Sequence, residues 1–226
     1  MTENDAERFA RLAQALVDQP DVEGTLEQVL AFAVAMIGCD HAGVMLVHPA
    51  GDIETAAVTT ELVEKADQLQ LEYHEGPCVS AIEDERNFVI LDTATDPRWP
   101  TWGPRVAELG MRSICSTELD TGSDTVGALN LYATQVDYFD AESVEAAHIL
   151  ARHAAIAIDT TRRHSVLIRT VDAQTKIGQA IGILMARHGL DHDQAFGVLR
   201  AYSQDNNVKL RVVVDRVVAS AAAQHG

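Results

Sequence analysis

The stretch "IGQAIGILMARHG" (Ile177–Gly189) sets apolar side chains at helical spacing and then stops on a glycine. Ile177, Ile181, Leu184 and Met185 fall at i, i+4, i+7 and i+8, which predicts one apolar face. Arg187 and His188 complement the negative end of the helix dipole, and Gly189 ends the helix. Gly182 stands inside it, although an interior glycine costs roughly 1 kcal/mol against alanine. Ala180, Gly182 and Ala186 keep one side of this helix low, so that another backbone can approach closely.

Downstream, Asp191 with Gln194 three residues on forms a capping box that opens a second helix. Ala195, Val198, Leu199 and Tyr202 are expected to face inward. The run Gln204-Asp205-Asn206-Asn207 breaks this helix, and Asn207 is expected to cap a third with Leu210, Val213, Val214, Val217 and Val218 inward. Such a small three-helix bundle is marginal alone, so fusion to the helix before it supplies stability.

Upstream, Asp140 or Ser143 caps a segment without Gly or Pro as far as Gly178. Read as one helix, residues 141–188 would span roughly 70 Å, the length of a coiled-coil connector rather than of a globular helix. Val144, Ala147, Ala151, Ala154, Ile158, Thr161, Ser165 and Ile168 follow 3-4 spacing with small knobs, while Ile149, Leu150 and Ile156 lie off that seam. Apolar residues on two faces call for two partners, the protein's own sheet and a second subunit, so a homodimer is expected.

Before Asp140 the order reads α-α-β-β-α-α-β-α-β-β-α. Helices at 1–18 and 24–38 part at Gln19-Pro20-Asp21, and two Val/Ile-rich runs flank the hairpin turn Pro49-Ala50-Gly51-Asp52. A helix over 61–72 presents Leu62, Ala66 and Leu69, and a shorter one fits 78–84. Strands follow in "NFVILD", "RSICSTELD" and "TVGALNLYAT". The fold class is α+β, an antiparallel sheet flanked by helices, a long connecting helix and a C-terminal three-helix bundle. The expected domains are an N-terminal helix (1–22), a first domain (23–160), the connecting helix (141–175) and the bundle (165–226).

The charge is divided between these parts. The chain carries a net −17, yet residues 162–226 hold nine Lys and Arg against five Asp, a net +4. The other 161 residues hold eight basic against 29 acidic groups. Such asymmetry points to two domains with different partners. Cys39, Cys78 and Cys115 stand far apart, as expected of reduced thiols in the cytoplasm. The opening residues do not form a secretory leader, and no stretch approaches the ~18 apolar residues of a membrane span, so no membrane partner is expected.

The order of elements, with "HEGPCVSAI", "NFVILD", "MRSICSTEL", "VGALNLYA" and "FDAESVEAAHILARHAAIAI", resembles the GAF domain, a small-ligand sensor fold, over roughly 23–160. "IGQAIGILMARHGLDHDQAFGVLRAYSQDNNVKLRVVVDRVV" resembles the ANTAR domain, the RNA-binding output module of bacterial transcription antiterminators. Ile177, Ala180, Gly182, Leu184-Met185, Ala195-Phe196, Leu199-Arg200, Ser203, Asn207 and Lys209-Leu210-Arg211 carry that resemblance in order. Gln174 and Ile181 stand where the family often has basic residues, and Val214 where it usually has Ala.

The resemblance implies a ligand-responsive antitermination regulator. A dimer would present two modules to paired RNA stem-loops and favour an antiterminator over a competing terminator. Lys176, Gln179, Arg200, Ser203, Asn207, Lys209 and Arg211 are the expected RNA contacts. Close approach at Gly182 would then be either by RNA or by a neighbouring helix. Cys78, Trp99, Trp102 and Cys115 are the ligand-pocket candidates for an unknown small molecule. Cys78 follows a Gly76-Pro77 helix start, where the dipole can lower a thiol pKa; its other reading is core filling, and Trp99 and Trp102 stand either as a pocket lid or as loop anchors. A cysteine-based methionine sulfoxide reductase and a module that binds a partner protein are the alternative functions. His188 and His192 are separated by Gly189, and His148 and His153 are poorly spaced, so no metal and no cofactor are expected.

Overall fold

The computed structural model describes residues 3–48, 50–84 and 87–222, so Pro49 of the hairpin turn lies outside the described residues. The chain forms two compact units, Met1–Arg162 and Arg163–Gly226. The first contains α1 (Glu3–Val17), α2 (Val22–Ile37), β1 (His41–Val47), β2 (Ile53–Val58), α3 (Glu61–Tyr73), α4 (Pro77–Asp84), β3 (Phe88–Ile90), α5 (Trp102–Glu108), β4 (Ser113–Asp120) and β5 (Thr125–Ala133). The order is the one expected from the sequence. Helix α6 (Ala141–His188) belongs to both units, and α7 (His192–Asp205) and α8 (Leu210–Ala222) complete the second.

The five strands form one antiparallel sheet in the order β2-β1-β5-β4-β3. Gly127 on β5 permits its pairing with β1: a Cβ there would strike the Met45 carbonyl oxygen. Alternation along the strands sends successive side chains to opposite faces. Val44, Leu46, Cys115, Leu129 and Leu131 face one way and pack with Leu12, Leu26, Val29 and Leu30 of α1 and α2 and with Ala147, Leu150, Ala151, Ala154 and Ile158 of α6. The seam read from the sequence is therefore partly spent on the protein's own sheet, because residues 147 to 161 are needed to close this core. Buried Thr25 on α2 and Thr161 on α6 meet there with hydroxyls 3.3 Å apart.

Met45, Ile114, Ala128 and Tyr132 face the other way, towards α3, α4 and α5. Helix α3 differs from its sequence reading. It buries Val63, Ala66, Asp67 and Gln70, while Leu62 and Leu69 are only half-buried.

In the second unit, Ala180, Ile181, Ala195, Leu199, Val213 and Val214 form the core, with Ile177, Leu184, Val217 and Val218 packed around it. Met185, Val198 and Tyr202 were expected inside and are 37%, 47% and 47% exposed. Only one narrow stripe of each short helix finds a partner, so flanking apolar positions stay outside. Asn207 does not cap α8. It sits in the left-handed region (φ +50°) of the turn, where Asn is tolerated, and the Lys209 carbonyl accepts the first helical bond, from Val212 N–H.

Gly182 is exposed, and a Cβ added there would meet nothing within 4 Å among the described residues. Packing against a helix of its own bundle therefore does not explain this glycine. Between the two cores, α6 leaves Val166, Leu167, Ile168 and Val171 between 47% and 62% exposed. Among the described residues no helix is long and apolar enough to cross a membrane.

Asp191 accepts from Gln194 N–H at 2.8 Å while Gln194 Oε1 accepts from Asp191 N–H at 3.1 Å, completing the capping box. Asp191→Ala is expected to cost about 1 kcal/mol, read as an earlier thermal transition of the second unit by circular dichroism. An unchanged transition would show that this cap contributes nothing.

Candidate sensor core and nucleic-acid interface

The helical layer over the Tyr132 face holds a polar cluster inside an otherwise apolar core. Asp67 of α3 is fully buried. Its carboxylate accepts from Tyr132 Oη at 3.0 Å, Thr55 Oγ1 at 3.2 Å and Gln70 Nε2 at 3.4 Å. Gln70 Oε1 in turn accepts from Cys78 N–H at 2.8 Å, which ties α3 to the start of α4. Ser116 Oγ donates to Asn130 Oδ1 at 2.7 Å, and Asn130 Nδ2 is buried without a hydrogen-bond partner among the described residues. These bonds tie α3 to β2, β5 and α4, and the Ser116–Asn130 bond links β4 to β5 beside them. Asp67 and Gln70, on the helix face that also carries Val63 and Ala66, were the cluster's only visible signal.

Among the described residues no cation is hydrogen-bonded to Asp67, and burial pushes its pKa up to about 7 against the opposing pull of its Tyr132, Thr55 and Gln70 bonds.

The four ligand-pocket candidates lie in packed core. Trp102 is fully buried and donates from Nε1 to the Ala66 carbonyl at 3.0 Å. Trp99 donates to Ser80 Oγ at 3.2 Å and meets Trp102 edge-on at 6.3 Å. Their contacts match anchors of the helical layer, with Glu75 accepting from Thr101 and Trp102 N–H at the start of α5. Cys78 packs with Met45, Ala81 and Ala128, whereas Cys115 points to the opposite face of the sheet, into the core that also holds Cys39. The expected dipole lowering at Cys78 is outweighed. Burial and the Asp67 charge push its thiol well above the ordinary range. Burial likewise pushes Cys39 up to about 12 and Cys115 up to about 11. Protonated, buried thiols are poor nucleophiles.

On the first unit, α1, α2 and the start of α6 border a cleft of about 880 Å³ lined by Phe9, Met36, Ile37 and Ile149, with Arg8, Glu142 and Glu145 beside them. None of the four candidates lines it. Among the described residues no three His, Cys, Asp or Glu side chains gather as metal ligands.

On the second unit, the expected RNA contacts fall into two groups. Gln179, Arg200, Lys209 and Arg211 are exposed, and Arg200 and Arg211 make no ion pair among the described residues. The others have local duties. Lys176 Nζ pairs with Asp215 Oδ1 of α8 at 2.8 Å, half-exposed, and that bond raises the lysine pKa. Ser203 is half-buried and donates to the Val208 carbonyl at 2.7 Å, bracing the turn that Asn207 makes.

The family model of the GAF domain matches residues 19–159, and that of the ANTAR domain matches residues 167–218. Among curated proteins, none matches the chain. Among solved structures, the GAF domain of a phosphoenolpyruvate-protein phosphotransferase from Coxiella burnetii is 18% identical, with a TM-score of 0.60, over 72% of this chain and 97% of its own. The corresponding GAF domain from Acinetobacter is 11% identical, with a TM-score of 0.56, over 72% and 97%. A free methionine-R-sulfoxide reductase from Neisseria meningitidis, in complex with its substrate, is 14% identical, with a TM-score of 0.52, over 73% and 95%. At these identities the likeness is one of fold.

A buried acid whose pKa is raised on folding makes stability fall as pH rises. The Asp67 contribution is complete below its ordinary value of 3.8 and is lost as pH climbs through about 7. Asp67→Asn is therefore expected to gain stability relative to the unaltered protein between pH 5 and pH 8, by a few kcal/mol, in denaturant unfolding of the first unit. Parallel stability curves for the two proteins would show that Asp67 does not titrate in this window.

Proposed function

Because the chain belongs to the GAF domain family and carries an ANTAR domain behind that sensor unit, we propose that it is a ligand-responsive, dimeric transcription antitermination regulator of the cytoplasm. Its second unit binds paired RNA stem-loops. A small molecule held by the first unit biases the arrangement of α6, and it can do so only through unequal affinity for the two arrangements.

The observation that carries this reading is the open cationic surface of the second unit in an otherwise acidic chain. Arg200, Lys209 and Arg211 stand exposed on a segment of net +4. Phosphate binding draws on such charges, while recognition of loop bases supplies the sequence preference. The uncovered run Val166, Leu167, Ile168 and Val171 supports association of two chains through α6. The buried thiols weigh against a cysteine-based reductase, since Cys78 is separated by the sheet from Cys39 and Cys115.

The test is binding of the full chain to an RNA with two adjacent hexaloop hairpins, against a loop-scrambled control at two salt concentrations. Loop-dependent binding is expected, with Lys209→Ala/Arg211→Ala weakening it and lowering the salt slope by about 1 to 2. Equal affinity for both RNAs, or none for either, would contradict the reading. Gly182→Ala addresses the same surface. Alanine fits the open space and favours the helix by up to about 1 kcal/mol, so the variant is expected to be at least as stable and to bind the hairpins less tightly. Undiminished binding would show that nothing approaches the helix closely at Gly182.

A further inference from the structure

Helix α7 exposes more than charge. Phe196 is 37% exposed and stands outside the hydrophobic core of its unit. His192 precedes it by four residues and Arg200 follows it by four, so the three side chains form one stripe along the helix. Ala195 and Leu199, fully buried, fix the orientation of that stripe by facing the core. His192 is exposed, with Nδ1 3.2 Å from Asp193 Oδ1, and Arg200 has no ion pair among the described residues. Gly197 beside Phe196 leaves open space in which an added Cβ would meet nothing within 4 Å among the described residues.

Phenyl, imidazole and guanidinium groups share one property. Each presents a flat face on which a nucleobase stacks, and arginine adds charge for the phosphate beside it. The part of the Phe196 ring that its own unit does not cover is otherwise left against water. The segment's positive charge matches a polyanion, and an unpaired base supplies the flat apolar partner that a phosphate backbone lacks.

We propose that Phe196, flanked by His192 and Arg200, is the platform on which an unpaired base of the RNA stacks. The proposal rests on the RNA-binding reading above and adds to it a side chain that was not among the expected contacts. Phe196 reads the splayed base, Arg200 covers the neighbouring base or phosphate, and Lys209 and Arg211 supply the sequence-independent attraction.

The experiment uses the full chain and the two-hairpin RNA carrying 2-aminopurine at single loop positions, with Phe196→Leu and Phe196→Trp. Circular dichroism first confirms that both variants hold the helical content of the unaltered chain. The expected result is a fluorescence change on binding at one loop position, kept by Phe196→Trp and lost in Phe196→Leu. The affinity of Phe196→Leu should fall roughly 5- to 100-fold with an unchanged salt slope, unlike the Lys209→Ala/Arg211→Ala protein. Tight binding and the full fluorescence change in Phe196→Leu would overturn the platform while leaving the RNA-binding reading intact. An unaltered chain that binds no hairpin would overturn both.

Discussion

Helix α6 is the constraint on which the rest of the structure depends. Its first half must present Ala147, Ala151, Ala154 and Ile158 to the sheet, and its last turns must present Ile177, Ala180, Ile181 and Leu184 to α7 and α8. Small side chains serve the first task because the helix lies against a sheet already filled by Leu129, Leu131 and α2. Larger ones serve the second, where three helices must build a core from few residues. Between these two demands the helix owes nothing to either unit, and there its apolar residues remain uncovered. The glycine in its last turns has a related cause. Gly182 costs helix stability without gaining any packing inside the unit, which is the expense expected of a surface kept low for something outside it.

The first unit shows a different compromise. A core built only for stability would place Leu or Met at positions 67 and 70. Instead Asp67 and Gln70 knit α3 to β2, β5 and the start of α4 through directional bonds, and one amide hydrogen donor, on Asn130, is left over. Hydrogen bonds of this kind hold the helices in one register on the sheet, where apolar contacts alone would let them slide. The cost is a carboxyl group without a counter-cation among the described residues, in a place that disfavours its charge. Burial likewise keeps the Cys78 thiol of this layer protonated, so its part there is one of holding and fitting rather than of covalent attack.

Much of this was legible in the residues. Element order, the hairpin turn, the capping box at Asp191 and the long helix all follow from local spacing and turn chemistry, which act within a few residues of each other. What was not legible depends on neighbours far along the chain. Val198 and Tyr202 sit at helical spacing with Leu199, and only the narrowness of the bundle leaves them outside. Asn207 carries the side chain of a cap, but the turn needs its tolerance of positive φ instead. Ser203 and Lys176 look like surface contacts in sequence, yet each answers a partner five or more residues away. Asp67 went unnoticed because a carboxylate on a helix is ordinarily a solvated residue. Phe196 stands in the sequence only as part of a family motif and not as a contact, for the opposite reason, since an aromatic at that position reads as core.

The uncovered middle of α6 is the joint between sensor and output, and pairing of two such joints is what would let one unit's state reach both copies of the other. Sedimentation equilibrium of the full chain beside Leu167→Asp/Val171→Asp tests this most directly, because both positions face solvent in the single chain and charge there should not disturb its fold. The account predicts a dimer that the double substitution converts to a folded monomer. A chain that is monomeric at every concentration, or a dimer indifferent to two buried charges at its seam, would contradict it.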